Sequence, residues 1–82
     1  MHVEILYFAG ARDISGNDRE SVDLPVQVKS IASFLLWLSD RYPDLTPHIP
    51  SLRIARNETF ADNDDLLEAN DVLAVIPPVA GG

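Results

Sequence analysis

Residues 72–82 read Val72-Leu73-Ala74-Val75-Ile76-Pro77-Pro78-Val79-Ala80-Gly81-Gly82. Five consecutive apolar residues, rich in β-branched side chains, predict a buried strand at the centre of a sheet. Two prolines then end it, because neither can donate to a ladder and each fixes φ near −65°. A central strand needs neighbours and a covering layer, and the remaining 71 residues must supply both.

The covering layer is legible at Ser30-Ile31-Ala32-Ser33-Phe34-Leu35-Leu36-Trp37-Leu38 and onward to Pro43. Ile31, Phe34, Leu35, Leu38 and Tyr42 recur at the helical period and form one apolar stripe. Ser30 is a capping residue whose hydroxyl accepts from a first-turn amide, and Pro43 ends the helix by excluding its neighbour from helical geometry. Trp37 falls outside the stripe and reads as core from a wide helix face.

The neighbours are shorter. Val3 to Ala9 is an apolar strand, and Ser21 to Leu24 alternates and stops at Pro25. Gly10 to Asp18 between them is turn chemistry, so the two strands predict a hairpin with a long loop. Asp44 to Pro50 is expected as a loop on its prolines. Leu52 to Arg56 alternates apolar and basic, Glu58-Thr59-Phe60 follows a turn at Asn57, and Asp62 to Asn70 is turn-rich, anchored by Leu66 and Leu67. The expected class is α+β, a mixed four- to five-stranded sheet packed on one main helix. One domain spans 1–82, with 77–82 an extended, flexible C-terminal tail.

Composition excludes several functions. The chain has 13 acids, 6 bases, a net charge of −7 and no cysteine. That rules out a disulfide framework and a cysteine nucleophile, and the sign of the charge argues against nucleic acid. No apolar run reaches the roughly 20 residues a membrane span requires. Met1-His2-Val3-Glu4 lacks the basic start of a signal peptide, so a cytoplasmic protein is expected. His2 and His48 are isolated, no metal site is expected, and no serine stands in a nucleophile setting. Residues 57–82 carry six acids and no base. They read either as a solvated loop or as an end that docks on a basic surface.

What remains is the tail. Five residues beyond Pro77 give a reach of about 16 Å. Gly81 and Gly82 remove both β-carbons, so the terminal carboxylate can enter a channel that no side chain would fit. Either this is a slender arm that delivers its carboxylate to another protein, or it is an unselected end.

The order of elements resembles the ubiquitin-like β-grasp. The ending Pro77-Pro78-Val79-Ala80-Gly81-Gly82 resembles the small subunit of molybdopterin synthase, the MoaD-type sulfur carriers. Tyr7-Phe8-Ala9 with Arg12-Asp13, Arg41-Tyr42-Pro43, Asn57 and Leu67 through Gly82 extend the resemblance over the whole chain. Asn70 stands where the family usually has glycine, a substitution that a left-handed turn tolerates. Ala80 replaces a frequent Ser or Thr.

The resemblance implies that an activating enzyme uses ATP in trans to adenylate Gly82, which becomes a thiocarboxylate. Sulfur then passes to cyclic pyranopterin monophosphate. The chain is expected to be a non-catalytic sulfur-donor subunit with no permanently bound cofactor. Its expected partners are the adenylating enzyme and the large synthase subunit, in a heterotetramer. Gly82 with Gly81 would carry the chemistry. Ile76, Pro77, Pro78, Val79 and Ala80, with Leu6, Phe8 and Arg12, would bind partners. Alternation along the first strand turns Leu6 and Phe8 away from the helix if Val3, Ile5 and Tyr7 face it, although a one-residue slip would reverse the faces. A thiazole-pathway sulfur carrier, a protein modifier joined to lysines through Gly82, and an inert binding module are the alternatives.

Overall fold

Four groups at the start of the main helix explain why it begins where it does. Helix α2 (Ile31–Arg41) is capped by Ser30, whose hydroxyl accepts from Ser33 N, while the Ser33 hydroxyl accepts from Ser30 N. The amides of Ile31 and Ala32, which no intrahelical acceptor can reach, donate to the carbonyls of Asp65 and Asn63, both at 3.0 Å. The turn-rich Asp62–Asn70 stretch is therefore a cap for α2 as well as a connection. Tyr42 ends the helix, donating its N–H to Leu38 O, and Pro43 follows.

In the computed structural model, which describes residues 1–78, α2 lies across one face of a five-stranded sheet. The strands are β1 (His2–Tyr7), β2 (Arg19–Asp23), β3 (Arg53–Arg56), β4 (Thr59–Phe60) and β5 (Val72–Ile76). Their order is β2-β1-β5-β3-β4, with β1 and β5 parallel and every other pair antiparallel. The apolar run 72–76 is thus the middle strand. Ile31, Phe34, Leu35 and Leu38 of α2 meet Val3, Ile5, Tyr7, Ile54, Leu73 and Val75, all buried. Burying one such side chain contributes roughly 1.5–3 kcal/mol. Trp37 is half-buried and stacks on Phe34 with ring centroids 5.9 Å apart.

Three local expectations are corrected. The Gly10–Asp18 stretch opens with a helix, α1 (Ala9–Ser15), in place of turns alone. Seven residues are too few to display a period, and no side chain caps the start. Burial of Ala11 and packing of Ile14 hold the helix, and Gly16, at φ 73°, ends it by donating to Arg12 O. Asp44–Pro50 is likewise ordered, inside a 3-10 helix at Pro43–Ser51. Its prolines lack the N–H that an α-helix interior requires, but Leu45 is buried and pins the segment to the core. Of the two leucines expected as anchors, Leu67 is buried and Leu66 is 67% exposed. Leu66 bridges Ser30 in extended backbone, so adjacent side chains point to opposite sides.

Polar contacts lock the periphery. Glu20 of β2 accepts from the hydroxyls of Tyr7 and Tyr42 and from Arg41 Nη2, each at 2.7 Å. Asp71, 4% exposed, accepts from Asn57 Nδ2 at 2.9 Å, Glu68 N at 2.7 Å and Arg56 Nη1 at 3.4 Å. Asn57, Glu58 and Asn70 all have φ between 51° and 73°, which Asn takes more readily than most residues.

Candidate functional site

The face of the sheet away from α2 carries the site. Along β1, Val3, Ile5 and Tyr7 are buried against the helix, leaving Glu4 and Leu6 on the outer side. Along β5, Leu73 and Val75 point inward, and Val72, Ala74 and Ile76 point outward, half-buried. The alternation expected from the sequence holds in the orientation that leaves Leu6, Phe8 and Ile76 outside. Register then aligns one apolar rung across four strands: Leu6 opposite Ala74, Ala74 opposite Ala55, Ala55 opposite Phe60. Phe8 and Phe60 remain 47% and 55% exposed. Between them lies a shallow hollow of about 300 Å³, floored by Leu6, Ala55, Val72, Ala74 and Ile76. A contiguous exposed apolar patch of this kind is the candidate interaction surface of the fold.

A second hollow, about 550 Å³, opens at the same end of the sheet. Ala9, Gly10 and Ile14 of α1, Leu45 and His48 of the 3-10 helix, Leu52, Pro77 and Pro78 line it. Phe8 and Ile76 border both hollows. The chain therefore leaves β5 at the ridge between two apolar depressions. His48, which sequence reasoning left as an isolated surface residue, belongs to this wall; only the unforeseen 3-10 helix brings it there.

The structure places Leu6, Phe8, Ile76, Pro77 and Pro78 together. Arg12 lies on exposed α1, beside this region rather than on the sheet, with Nε 3.6 Å from Asp18. Val79, Ala80, Gly81 and Gly82, and with them the extended-tail reading, lie outside the described residues. Sequence reasoning missed Ala55, Phe60, Val72 and Ala74 as members of the patch. Alternation alone marks Val72 and Ala74, but Phe60 joins only through the β3–β4 register.

Charge is distributed differently from its order in the sequence. Asp71 is internal, and Asp71 and Glu68 sit at the start of β5, opposite the end where Pro77 departs. Asn63 and Asp65 lie against the amino end of α2. On the outer face, Glu4 is held by Arg19 at 3.2 Å and by Ser21. The Ser21 hydrogen bond is the main reason its carboxyl titrates below the ordinary range; desolvation opposes it, and Arg19 and His2 add to the lowering. Arg53 stacks on Phe60, its Cζ 4.0 Å from the ring centroid. Among the described residues no group of three or more His, Asp or Glu could hold a metal ion, and no helix is long and apolar enough to cross a membrane.

The sequence profile of the ThiS family matches residues 5–82. The molybdopterin synthase sulfur carrier subunit of Drosophila yakuba is 39% identical over 85 residues, covering 100% of this chain and 92% of that protein. Among solved structures, SAMP1 of Haloferax volcanii superposes with a TM-score of 0.84 at 24% identity over the whole of both chains. Subunit 1 or 2 in the complex of the molybdopterin-converting factor from Helicobacter pylori superposes at 0.68, with 22% identity over 100% of both chains. At those identities the last two speak for the ubiquitin-like β-grasp alone.

Proposed function

Because the chain belongs to the ThiS family, alongside the molybdopterin synthase sulfur carrier subunits, we propose that its Gly82 carboxylate is the group that carries sulfur. One observation supports this most directly: the apolar outer face runs without a break into Ile76, Pro77 and Pro78, the root of the segment that ends in Gly81-Gly82. A partner seated on Leu6, Phe8, Phe60 and Ile76 has the root of the tail at the edge of its own surface. The Helicobacter pylori complex of subunits 1 and 2 supplies the precedent for such a partner, here the large synthase subunit.

The chemistry follows from a carboxylate being a poor electrophile. An activating enzyme would use ATP to form the Gly82 acyl-adenylate, releasing pyrophosphate; hydrosulfide from the sulfur donor would then attack the acyl carbon and displace AMP, leaving the thiocarboxylate. The thiocarboxylate is a soft nucleophile, and no cysteine is present to compete with it or to form disulfides. The large subunit would supply the catalytic residues and the pterin acceptor, and this chain would return for recharging.

Incubation with an activating enzyme, ATP and a sulfur donor should raise the intact mass by one sulfur-for-oxygen exchange, localised to Gly82. An unchanged mass after pyrophosphate release, or isopeptide adducts to lysines in place of the exchange, would reject the reading.

A further inference from the structure

The outer face is electrically polar along the strands. At the end where the tail departs it bears Arg19, opposite Leu6, and Arg53, opposite Ile76. At the other end it bears Glu4, opposite Val72, and Asp23, opposite His2, with Glu58 beside Val72 in the same hollow. Arg19 is neutralised by Glu4 at 3.2 Å, which leaves Arg53 as the cation at the tail end of this face and Asp23 and Glu58 as acids toward the other.

The two arginines are not equivalent. Arg12, Arg19, Arg41 and Arg56 each face a carboxylate within 3.6 Å. Arg53 has no carboxylate within 4.0 Å among the described residues, Asp62 lying farther off across a shared hollow; its guanidinium rests on the exposed ring of Phe60 instead. Stacking on an aromatic face holds the guanidinium plane while leaving its edge donors available, in the fork that matches a carboxylate. A cation already ordered loses less freedom on pairing.

We infer that Arg53 is the residue that sets the docking orientation of this face, by pairing with a carboxylate of the large subunit at the mouth of the channel that receives the tail. An apolar patch alone fits its partner in several rotations, whereas a cation at one end and anions at the other select one. The selected rotation points Ile76 and Pro77 at the channel. The partner surface is accordingly acidic opposite Arg53, not basic throughout as the overall charge suggests. This rests on the sulfur-carrier reading, and its test separates the two.

The full chain is titrated with the purified large subunit across a salt series, with thermal unfolding as the check on fold. At 0.1 M salt, Arg53→Leu should weaken binding about tenfold and Arg53→Glu about a hundredfold, with both deficits shrinking as salt rises. Arg53→Lys, which keeps the charge and loses the fork, should fall between the parent and Arg53→Leu. Arg53→Glu binding within twofold of the parent at low salt would overturn the inference. So would unchanged binding accompanied by slower adenylation, which would assign Arg53 to a nucleotide phosphate. Failure of the unsubstituted chain to bind the large subunit would instead remove the carrier reading beneath it.

Discussion

The Tyr42 hydroxyl, at the carboxyl end of α2, donates to Glu20 of β2 at 2.7 Å and ties the helix to an edge strand 22 residues away in sequence. Tyr7 donates to the same Glu20 oxygen, and Arg41 reaches the other. Burial pushes the Glu20 carboxyl up, but the hydrogen bonds from Arg41, Tyr42 and Tyr7 outweigh it and leave it below the ordinary carboxylate range. The Tyr7 phenol moves far upward, first through burial and then through Glu20.

Removing Glu20 strands these donors. Glu20→Ala should cost about 2 kcal/mol, because part-buried hydroxyls lose their acceptor. In a domain of this size that is a fall of roughly 10 °C in Tm. The pH dependence has a definite sign. A carboxyl depressed by folding contributes stability that is present above its ordinary value of 4.5 and disappears as pH falls through the lower folded value. Thermal unfolding of the parent between pH 6 and pH 3 should therefore fall more steeply than that of Glu20→Gln, which lacks this contribution. Parallel curves would contradict the role given to Glu20.

Asp71 predicts a larger loss. Its buried carboxylate accepts from Arg56, Asn57 and the Glu68 amide, and Asn57 in turn accepts from Val72 N. Asp71→Ala leaves the Asn57 and Glu68 amides without their acceptor and Arg56 with Leu66 O alone, at a cost of about 3 kcal/mol. Asp71→Asn keeps one acceptor oxygen but sets its NH2 against a donor, Asn57 Nδ2 or Glu68 N, so it should recover only part of that loss. Denaturant titration of the two variants measures these losses, and a cost below about 1 kcal/mol for Asp71→Ala would contradict its anchoring role.

The contrast between Asp71 and the other late acids shows what the sequence could and could not disclose. Period and capping made α2 legible from Ser30 to Pro43, because each signal is local and repeats. The middle strand was legible because both its faces are apolar, although only Leu73 and Val75 are covered and Val72, Ala74 and Ile76 stay half-buried on the open face. Helix α1 was not, since its packing rests on Ala11 and Ile14 meeting residues far along the chain. Nor was the patch membership of Phe60, which depends on register with Ala55. Asp71 belonged to a run of charges in the sequence and became an internal anchor only once β3 and β5 were paired. For the same reason residues 57–82 do not form one acidic end: strand β5 separates Asp71 from Pro77.

Neutralising Asp64 and Asp65 together should accordingly act on α2 rather than on docking. Asp65 Oδ2 accepts from Asp62 N, and the Asp65 carbonyl caps Ile31. Asp64→Asn/Asp65→Asn should lower stability by about 0.5–1 kcal/mol through the helix amino terminus. Association with the large subunit should keep the salt dependence of the parent in stopped-flow measurements. A flatter salt dependence would restore these acids to the docking surface.

The outer face offers a test with an internal control. Phe60 is 55% exposed on the sheet side and Leu36 is 69% exposed on the helix side. Phe60→Glu should weaken binding of the large subunit at least about tenfold, since it puts a charge inside an apolar contact. Leu36→Glu should leave binding unchanged. Both should keep Tm within a few degrees of the parent, because neither side chain is buried. Equal loss of binding in the two variants would point to a general charge effect and away from the sheet face.

The tail prediction follows from length. From Ile76 outward the chain is held first by a half-buried Pro77 and then by an exposed Pro78, so the position of the last carboxylate is set by the number of residues beyond that root. Deleting Gly82 withdraws the carboxylate by about 3.3 Å and leaves Gly81 in its place. Reacting atoms must approach to about 3–3.5 Å, and a misplacement of 1 Å can cost about a hundredfold. Sulfur transfer by the Gly82 deletion, and by a chain extended by one alanine, should therefore fall by at least that factor in single-turnover assays. Binding of the large subunit should stay within a few fold of the parent, because Leu6, Phe8, Phe60 and Ile76 are untouched, and Tm should not move. Sulfur transfer that survives either change would move the reactive group away from Gly82.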